Sequence, residues 1–359
     1  MQESRCGDRC LETHEHISMK TSPHKTESIA SAIDAVEMVP VQGMDLGLVI
    51  RGADIRNPVL LHLHGGPGQS EFGAYLKKRR GRLEQIFTIC YLEQRGSGKS
   101  YSPDIPPETM TLDQFVEDAH EVTQYLKKKF GQPKVFVLGH SWGTMLGSFL
   151  IHRHPGDYHA YLGIGQMADQ LASEKISLDF LQAQARSRND TEALAILAEL
   201  KVPRPDSPMV DWIHYLMTER TLVIKYRGIF LFDDVGELKE SVLASEDYTD
   251  QEKENYLQAR CADFSITHLW PTMIGVNFSV DLKRQQVPVF IFQGIHDYAT
   301  AFAPARHYFD VLEAPLKRFY TFENSAHSPH TEEYEKFEAL VVRDILPLAS
   351  AAKSSALSP

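Results

Sequence analysis

Up to about residue 34 the chain is polar, with scattered His, Ser and Glu and neither a strand nor a helix period, which predicts a tail rather than a packed element. Short apolar runs begin after it. Residues 36–41 and 46–51 read as β-strands parted by Gln42-Gly43, a hairpin signal. Residues 59–63, 86–92 and 134–138 are almost wholly apolar, the pattern of strands covered on both faces. Between the last two, Leu112, Phe115, Val116, Ala119, Val122, Leu126 and Phe130 recur every three or four positions and predict an amphipathic helix. Thr111 and Gln114 suit a capping box at its start, Lys127, Lys128 and Lys129 suit the negative end of its dipole, and Gly131 with Pro133 stops it. A second helical run, 144–153, follows the third of these apolar strands.

Strand, helix, strand, turn and helix in this order predict a mostly parallel, doubly wound α/β sheet. A further series, strand 287–292, helix 302–312, strand 317–322 and helix 332–345, closes the chain. Between residues 165 and 287 the texture changes to helix-rich and aromatic, with Trp212, Tyr215, Phe230, Phe232, Phe264 and Trp270, and contains no repeat. This stretch predicts a cap inserted over the strand ends. A length of 359 residues suits a core of about 250 residues with such an insertion. The expected organisation is a polar N-terminal tail over 1–34, a discontinuous core over 35–167 and 285–349, a helical cap over 168–284, and a C-terminal tail over 350–359.

Charge and cysteine content narrow the partners. A net charge of −11 and a pI of about 5.8 speak against nucleic acid and against an anionic membrane surface, and the short basic run Lys77, Lys78, Arg79, Arg80 reads as a solvated face. Cys6, Cys10, Cys90 and Cys261 show no C-x-x-C spacing and no evident pairing, which fits a reducing compartment. No stretch reaches about 18 consecutive apolar residues, and the N-terminus lacks the apolar segment of a secretory signal. A cytoplasmic protein is expected, and the sequence carries no reading of its oligomeric state.

Candidate chemistry centres on Gly139-His140-Ser141-Trp142-Gly143, which lies between a predicted strand and a predicted helix. That is the setting of a nucleophile elbow, where a strained serine projects its Oγ from the sheet and glycine neighbours relieve crowding. A serine nucleophile needs a base, and the base needs an orienting acid. In the α/β-hydrolase order the acid follows a late strand and the histidine comes last. Asp297 and His327 fit those places, with His330 and His296 as rivals for the base. Two backbone N–H groups are expected to hold an oxyanion: Trp142, next after the serine, and Gly66 in His64-Gly65-Gly66-Pro67-Gly68, since Pro67 has no N–H to give. Gly65 and the cap aromatics Trp212, Phe230 and Trp270 are expected to touch substrate. Gly98-Lys99-Ser100 imitates the end of a phosphate-binding loop, but Glu93 stands where its first glycine belongs. His62 and His64 form an H-x-H pair with no third ligand at convincing spacing. Neither a nucleotide nor a metal is assigned.

Taken together, the loop 64–68, Glu93-Gln94-Arg95-Gly96-Ser97-Gly98, the elbow, Asp297 and His327 resemble the proline iminopeptidase branch of the α/β-hydrolases over residues 36–346. The resemblance implies a serine hydrolase with Ser141, Asp297 and His327 as its triad, an oxyanion hole at Gly66 and Trp142, and no cofactor. It also implies cap carboxylates that hold a substrate's free amine, one of them following a tryptophan. Here Trp270 is followed by Pro271, and Glu174, Asp179, Glu199, Asp211, Glu219, Asp233, Asp234 and Glu237 stand as candidates. Where family members carry Asp before Gln-Arg-Gly this chain has Glu93, expected to be structural. Three functions are carried forward. The first is an aminopeptidase-like hydrolase of short peptides or aminoacyl amides. The second is an esterase, amidase or lactonase for an uncharged small molecule. The third is a binding protein that kept the fold without catalysis. A serine at the elbow argues against dehalogenase or epoxide hydrolase chemistry, which in this fold resemble each other in using aspartate there.

Overall fold

Gln42 and Gly43 both take positive φ (46° and 81°), a turn whose twist matches that of two antiparallel strands. It joins β1 (Ile33–Val41) to β2 (Met44–Gly52). The computed structural model describes residues 32–70, 83–231 and 235–350. Most of the predicted N-terminal tail, the basic run at 77–80, Cys6, Cys10, Phe232, Asp233, Asp234 and residues 351–359 lie outside them, as does the side chain of Glu237.

Six more strands follow: β3 (Val59–Leu63), β4 (Thr88–Leu92), β5 (Val135–His140), β6 (Tyr158–Ile164), β7 (Val289–Gly294) and β8 (Lys317–Phe322). They form one sheet in the order β1-β2-β4-β3-β5-β6-β7-β8, antiparallel at the first two pairings and parallel through the rest. The order reverses direction beside β3 and β5, and a doubly wound sheet binds its ligand at such a point, off the carboxyl ends of the strands.

The short apolar runs become central strands because both faces are covered. Leu61, Leu63, Val135, Val137 and Ile291 enter one apolar layer, and their neighbours Leu60, Phe136, Leu138, Phe290 and Phe292 enter the other. The first layer is covered by α1 (Leu112–Phe130) and α2 (Trp142–Arg153) and runs on without a break into the inserted helices. Each fully buried Leu, Ile or Phe contributes roughly 1.5–3 kcal/mol. At the start of α1 only half of the expected capping box forms. Thr111 Oγ1 accepts from Gln114 N at 3.2 Å, but the Gln114 side chain donates to Asp118 Oδ1 at 2.9 Å instead of reaching back. Gly131, at φ 62°, closes the other end.

Between β6 and β7 come α3 (Gln170–Ser187), α4 (Thr191–Glu199), α5 (Met209–Lys225), α6 (Val235–Ala244), α7 (Asp250–Leu257), α8 (Arg260–Gly275) and the single turn α9 (Phe278–Asp281). α10 (Phe302–Val311) follows β7. After β8 the predicted long helix is instead the short α11 (Tyr334–Leu340) running into a wider π turn at Val341–Ile345, whose Val341 and Ile345 join Phe337 in the second layer. Among the described residues no helix is long and apolar enough to cross a membrane, and Cys90 and Cys261 are free and buried.

Candidate active site

Ser141 stands between β5 and α2 with φ 53° and ψ −122°, outside the regions a side-chain-bearing residue favours. Such a conformation costs about 1–3 kcal/mol and persists only where the surroundings impose it. Here they do. Ser141 N donates to Ile164 O at the end of β6 (2.9 Å), and Thr144 holds Ser141 O with both N (2.8 Å) and Oγ1 (2.6 Å). The two flanking glycines answer close approaches of backbone. A Cβ on Gly139 would lie 2.3 Å from Gly143 O, and one on Gly143 would lie 2.0 Å from Leu63 O.

Of the three candidate histidines, His327 is the one paired with Asp297: Nδ1 lies 2.9 Å from Oδ2. Asp297 follows β7 directly and is 1% exposed. Its charge is held by a full set of donors. Oδ1 accepts from Ala299 N and Thr300 N, and Oδ2 accepts from Gln293 Nε2 and Thr300 Oγ1, each at 2.9 Å. Gln293 is the polar end of an otherwise apolar strand, and its Oε1 accepts from Gln166 N (2.8 Å), tying the acid to the loop after β6. His327 itself is fixed by its N–H to Ile229 O (2.9 Å) and by His140 Nε2, which lies 3.2 Å from His327 O. A carboxylate set this way favours the tautomer with its proton on Nδ1 and with Nε2 unprotonated.

The loop 64–68 follows β3 at the reversal of strand order. Gly66 has φ +110°, and a Cβ there would lie 2.7 Å from Gln69 N. Gln94 ties this loop to the elbow: its Nε2 donates to His64 O and its Oε1 accepts from Trp142 Nε1, both at 2.9 Å. His64 is spent on the same joint, with Nε2 2.9 Å from Ser97 Oγ and Nδ1 2.8 Å from Gly65 O, so it is not poised as a metal ligand. Trp142 opens α2, where a backbone N–H has no partner within the helix. The false phosphate loop is structural too: Lys99 Nζ pairs with Glu252 (3.1 Å) and Ser100 Oγ donates to Glu93 O (2.6 Å). Buried Glu93 accepts from Tyr248 OH (2.7 Å) and from Ser70 Oγ, joining the inserted helices to the core.

A model of the α/β hydrolase fold family matches residues 58–186. The probable aminopeptidase YbaC of Bacillus subtilis is 32% identical over 292 residues, which is 81% of this chain and 89% of that protein. The chain is an α/β-hydrolase of the proline iminopeptidase-like branch. A proline iminopeptidase of Heyndrickxia coagulans is 27% identical over 290 residues, 79% of this chain and 88% of its own. The crystal structure of the proline iminopeptidase of Mycobacterium smegmatis shares the fold with a TM-score of 0.64 at 22% identity, covering 89% of this chain and 100% of that one.

In this α/β-hydrolase Ser141, Gly66 and His327 border one cavity of about 310 Å³, roofed by the inserted helices. Ser141 and His327 share it, with no hydrogen bond between Ser141 Oγ and the His327 ring. Such bonds commonly tighten only when substrate is bound. Phe230 and Trp270 lie on its wall, with Ile224, Ile266 and Met273. Gly65 is buried behind the loop, and Trp212 is 1% exposed, packed 5.6 Å from Trp270 with Nε1 donating to Arg204 O (3.2 Å); neither is on the wall. Trp212 backs the aromatic wall rather than facing the cavity.

No carboxylate lies on the wall among the described residues. Of the acidic candidates, Asp179, Glu199 and Asp211 are exposed. Glu174 on α3 and Glu219 on α5 are fully buried and grip Arg220, which does line the cavity. Arg220 Nη2 donates to Glu174 Oε1 (2.6 Å), and Nη1 donates to Glu174 Oε2 (3.2 Å) and to Glu219 Oε2. Gln170 Nε2 and Ser177 Oγ donate to Glu174 and Glu219 respectively. This network escaped sequence reasoning, because acidic and basic residues on helices read as solvated faces.

Burial pushes the Glu219 carboxyl up to about 7, against the pull of Arg220 and with the charge of Glu174 adding to the rise. The folded protein then keeps a proton that the unfolded chain releases near the ordinary value of 4.5. Where the native state binds more protons, stability falls as pH rises. The melting temperature is therefore expected to fall from about pH 4.5 to about pH 7 more steeply in the wild type than in Glu219→Gln, measured by thermal scans across that window. Parallel curves for the two proteins would contradict the assignment.

Proposed function

We propose that this α/β-hydrolase is a serine hydrolase that works through an acyl-enzyme and releases an N-terminal residue from short peptides or aminoacyl amides. Ser141 attacks the scissile carbonyl as His327 Nε2 takes its proton. Asp297 keeps the proton of the imidazole on Nδ1 and balances the imidazolium that forms. The backbone N–H groups of Gly66 and Trp142 receive the developing oxyanion, where losing one donor typically costs about 10²–10³ in rate. His327 then returns its proton to the leaving amine, and water enters by the reverse sequence to free the acyl group. The observation that carries this reading is the pairing of His327 with a fully hydrogen-bonded Asp297 on the cavity that also holds the strained Ser141. The peptide preference is supported by the relative named a probable aminopeptidase.

A second reading, hydrolysis of an ester, amide or lactone of an uncharged small molecule, is favoured by one observation. Beside its polar members the described cavity wall has an apolar and aromatic side, Ile224, Ile229, Phe230, Ile266, Trp270 and Met273, and it presents no carboxylate to a substrate ammonium. Hydrolysis of prolyl and alanyl p-nitroanilides beside p-nitrophenyl acetate and butyrate, by the wild type and by Ser141→Ala, separates the two. The peptidase reading expects anilide turnover that the substitution abolishes. Ester turnover alone, lost in the same way, would replace it with the second, and turnover unchanged in Ser141→Ala would remove Ser141 as the nucleophile.

A further inference from the structure

The hydrogen-bonding capacity of the Glu174, Arg220 and Glu219 cluster is not used up inside the protein. A guanidinium carries five N–H donors. Glu174 takes one from each of Nη1 and Nη2, and Glu219 takes the other on Nη1. Nε–H and the second N–H of Nη2 have no acceptor among the described residues. Nε is not closed off from solvent, and the side chain is 26% exposed where it lines the cavity that holds Ser141.

Gln170, on the same wall, presents the opposite deficit. Its Nε2 is committed to Glu174 Oε1 (2.7 Å) and Ala299 O (2.9 Å), which fixes which way round the amide sits. Its Oε1 is left buried without a partner. An unsatisfied buried acceptor is costly, and a ligand N–H reaching it would recover that cost. Arg220 thus has donors to spare on the wall, and Gln170, which lines the same cavity, keeps an unpartnered acceptor just behind its surface, within reach of a ligand after a small shift of the side chain.

The charge balance selects among ligands that could use both. A single cation faces two carboxylates, one of which holds its proton close to neutrality, so the cluster has no surplus positive charge for an anion. Nor does either carboxylate reach the cavity to meet an ammonium. An uncharged group with both a carbonyl oxygen and an N–H fits. We propose that Arg220 and Gln170 form a subsite for an amide carried by the acyl part of the substrate, beyond the bond that Ser141 cleaves. Arg220 donates to the amide oxygen and Gln170 Oε1 accepts from its N–H. The proposal rests on the reading of Ser141 as the nucleophile and narrows the released unit to one ending in an amide, such as a residue with a carboxamide side chain.

The test uses 4-nitrophenyl esters of glutaramic acid, 5-methylhexanoic acid and glutaric acid (as its half ester), acyl groups of one shape ending in an amide, an isopropyl group and a carboxylate. The wild type is expected to prefer the amide over the isopropyl ester by about tenfold or more in kcat/KM, with the carboxylate ester also below the amide. Arg220→Met and Gln170→Met are each expected to bring the amide-to-isopropyl ratio close to one. Arg220→Met strands two buried glutamates, so Gln170→Met, which leaves the ion cluster whole, decides if the first variant fails to fold. A wild type that ranks isopropyl or carboxylate first, or a ratio retained in the folded variants, overturns the proposal. Calorimetric titration of Ser141→Ala protein with glutaramate and 5-methylhexanoate reads the same ranking as affinity. An absence of Ser141-dependent turnover would therefore sink the nucleophile reading while the subsite is still decided by the two affinities.

Discussion

Asp297→Asn is expected to lower kcat by about 10³–10⁴-fold while KM stays within a few fold. The magnitude follows from the donors that converge on the carboxylate. Oδ2 accepts from Gln293 Nε2, from Thr300 Oγ1 and from His327 Nδ1, so a side-chain NH₂ at that position would face donors on every side. The amide oxygen can still serve the N–H groups of Ala299 and Thr300, which fixes the asparagine in the unfavourable orientation. His327 then escapes the clash by moving its proton to Nε2, the nitrogen required as the base. Stopped-flow acylation with the best substrate of the ester and anilide panel measures the effect, with circular dichroism as the control for folding. A variant within tenfold of the wild type would mean that Asp297 is only a turn residue.

Asp118→Ala is expected to cost about 3–5 kcal/mol of stability, read from urea denaturation. Asp118 on α1 and Arg95 are 2% and 3% exposed and paired in two parallel bonds, Nε to Oδ2 and Nη2 to Oδ1, each at 2.8 Å. Burial raises the Asp118 carboxyl above its ordinary value even though Arg95 and Gln114 pull it down, so desolvation outweighs what the partners return. Removing the carboxylate leaves an arginine charge buried, with Thr109 Oγ1 at 3.4 Å as its remaining polar contact. Converting both partners, as Arg95→Met with Asp118→Leu, is expected to recover most of the loss. Additive losses in the double variant would show that the pair had not been acting as one unit.

The core was legible because its signals are local. A strand buried on both faces needs a near-continuous apolar run, and β4, β5 and β7 each supply four such residues in a row, while in β3 only His62 interrupts it. The elbow was legible because backbone crowding at Gly139 and Gly143 leaves room for no other residue. The cap was harder to read. Gln170 and Glu174 lie one turn apart on α3, and Glu219 and Arg220 are adjacent on α5, yet nothing in either helix alone says that the two faces meet. Trp212 shows the converse difficulty, since composition says that a large aromatic will be buried but not on which side of the cavity wall. Gln293 was within reach, as a buried polar residue at the end of an apolar run is rarely there for packing alone.

Strand β6 sits inside the sheet between β5 and β7, but β7 begins only at Val289, after the whole helical insertion. On the ribosome Ser141 and its turn therefore emerge well before the strand that shields β6. At about 5–20 residues per second, that edge waits on the order of ten seconds for its partner. Apolar on both faces and unpaired along one side, it is a template for strands of other chains in that interval. A nascent chain halted there would carry Ser141 but neither Asp297 nor His327. Synthesis thus brings Ser141, Asp297 and His327 together only near its end, and leaves the β6 edge without its partner strand between residues 164 and 289.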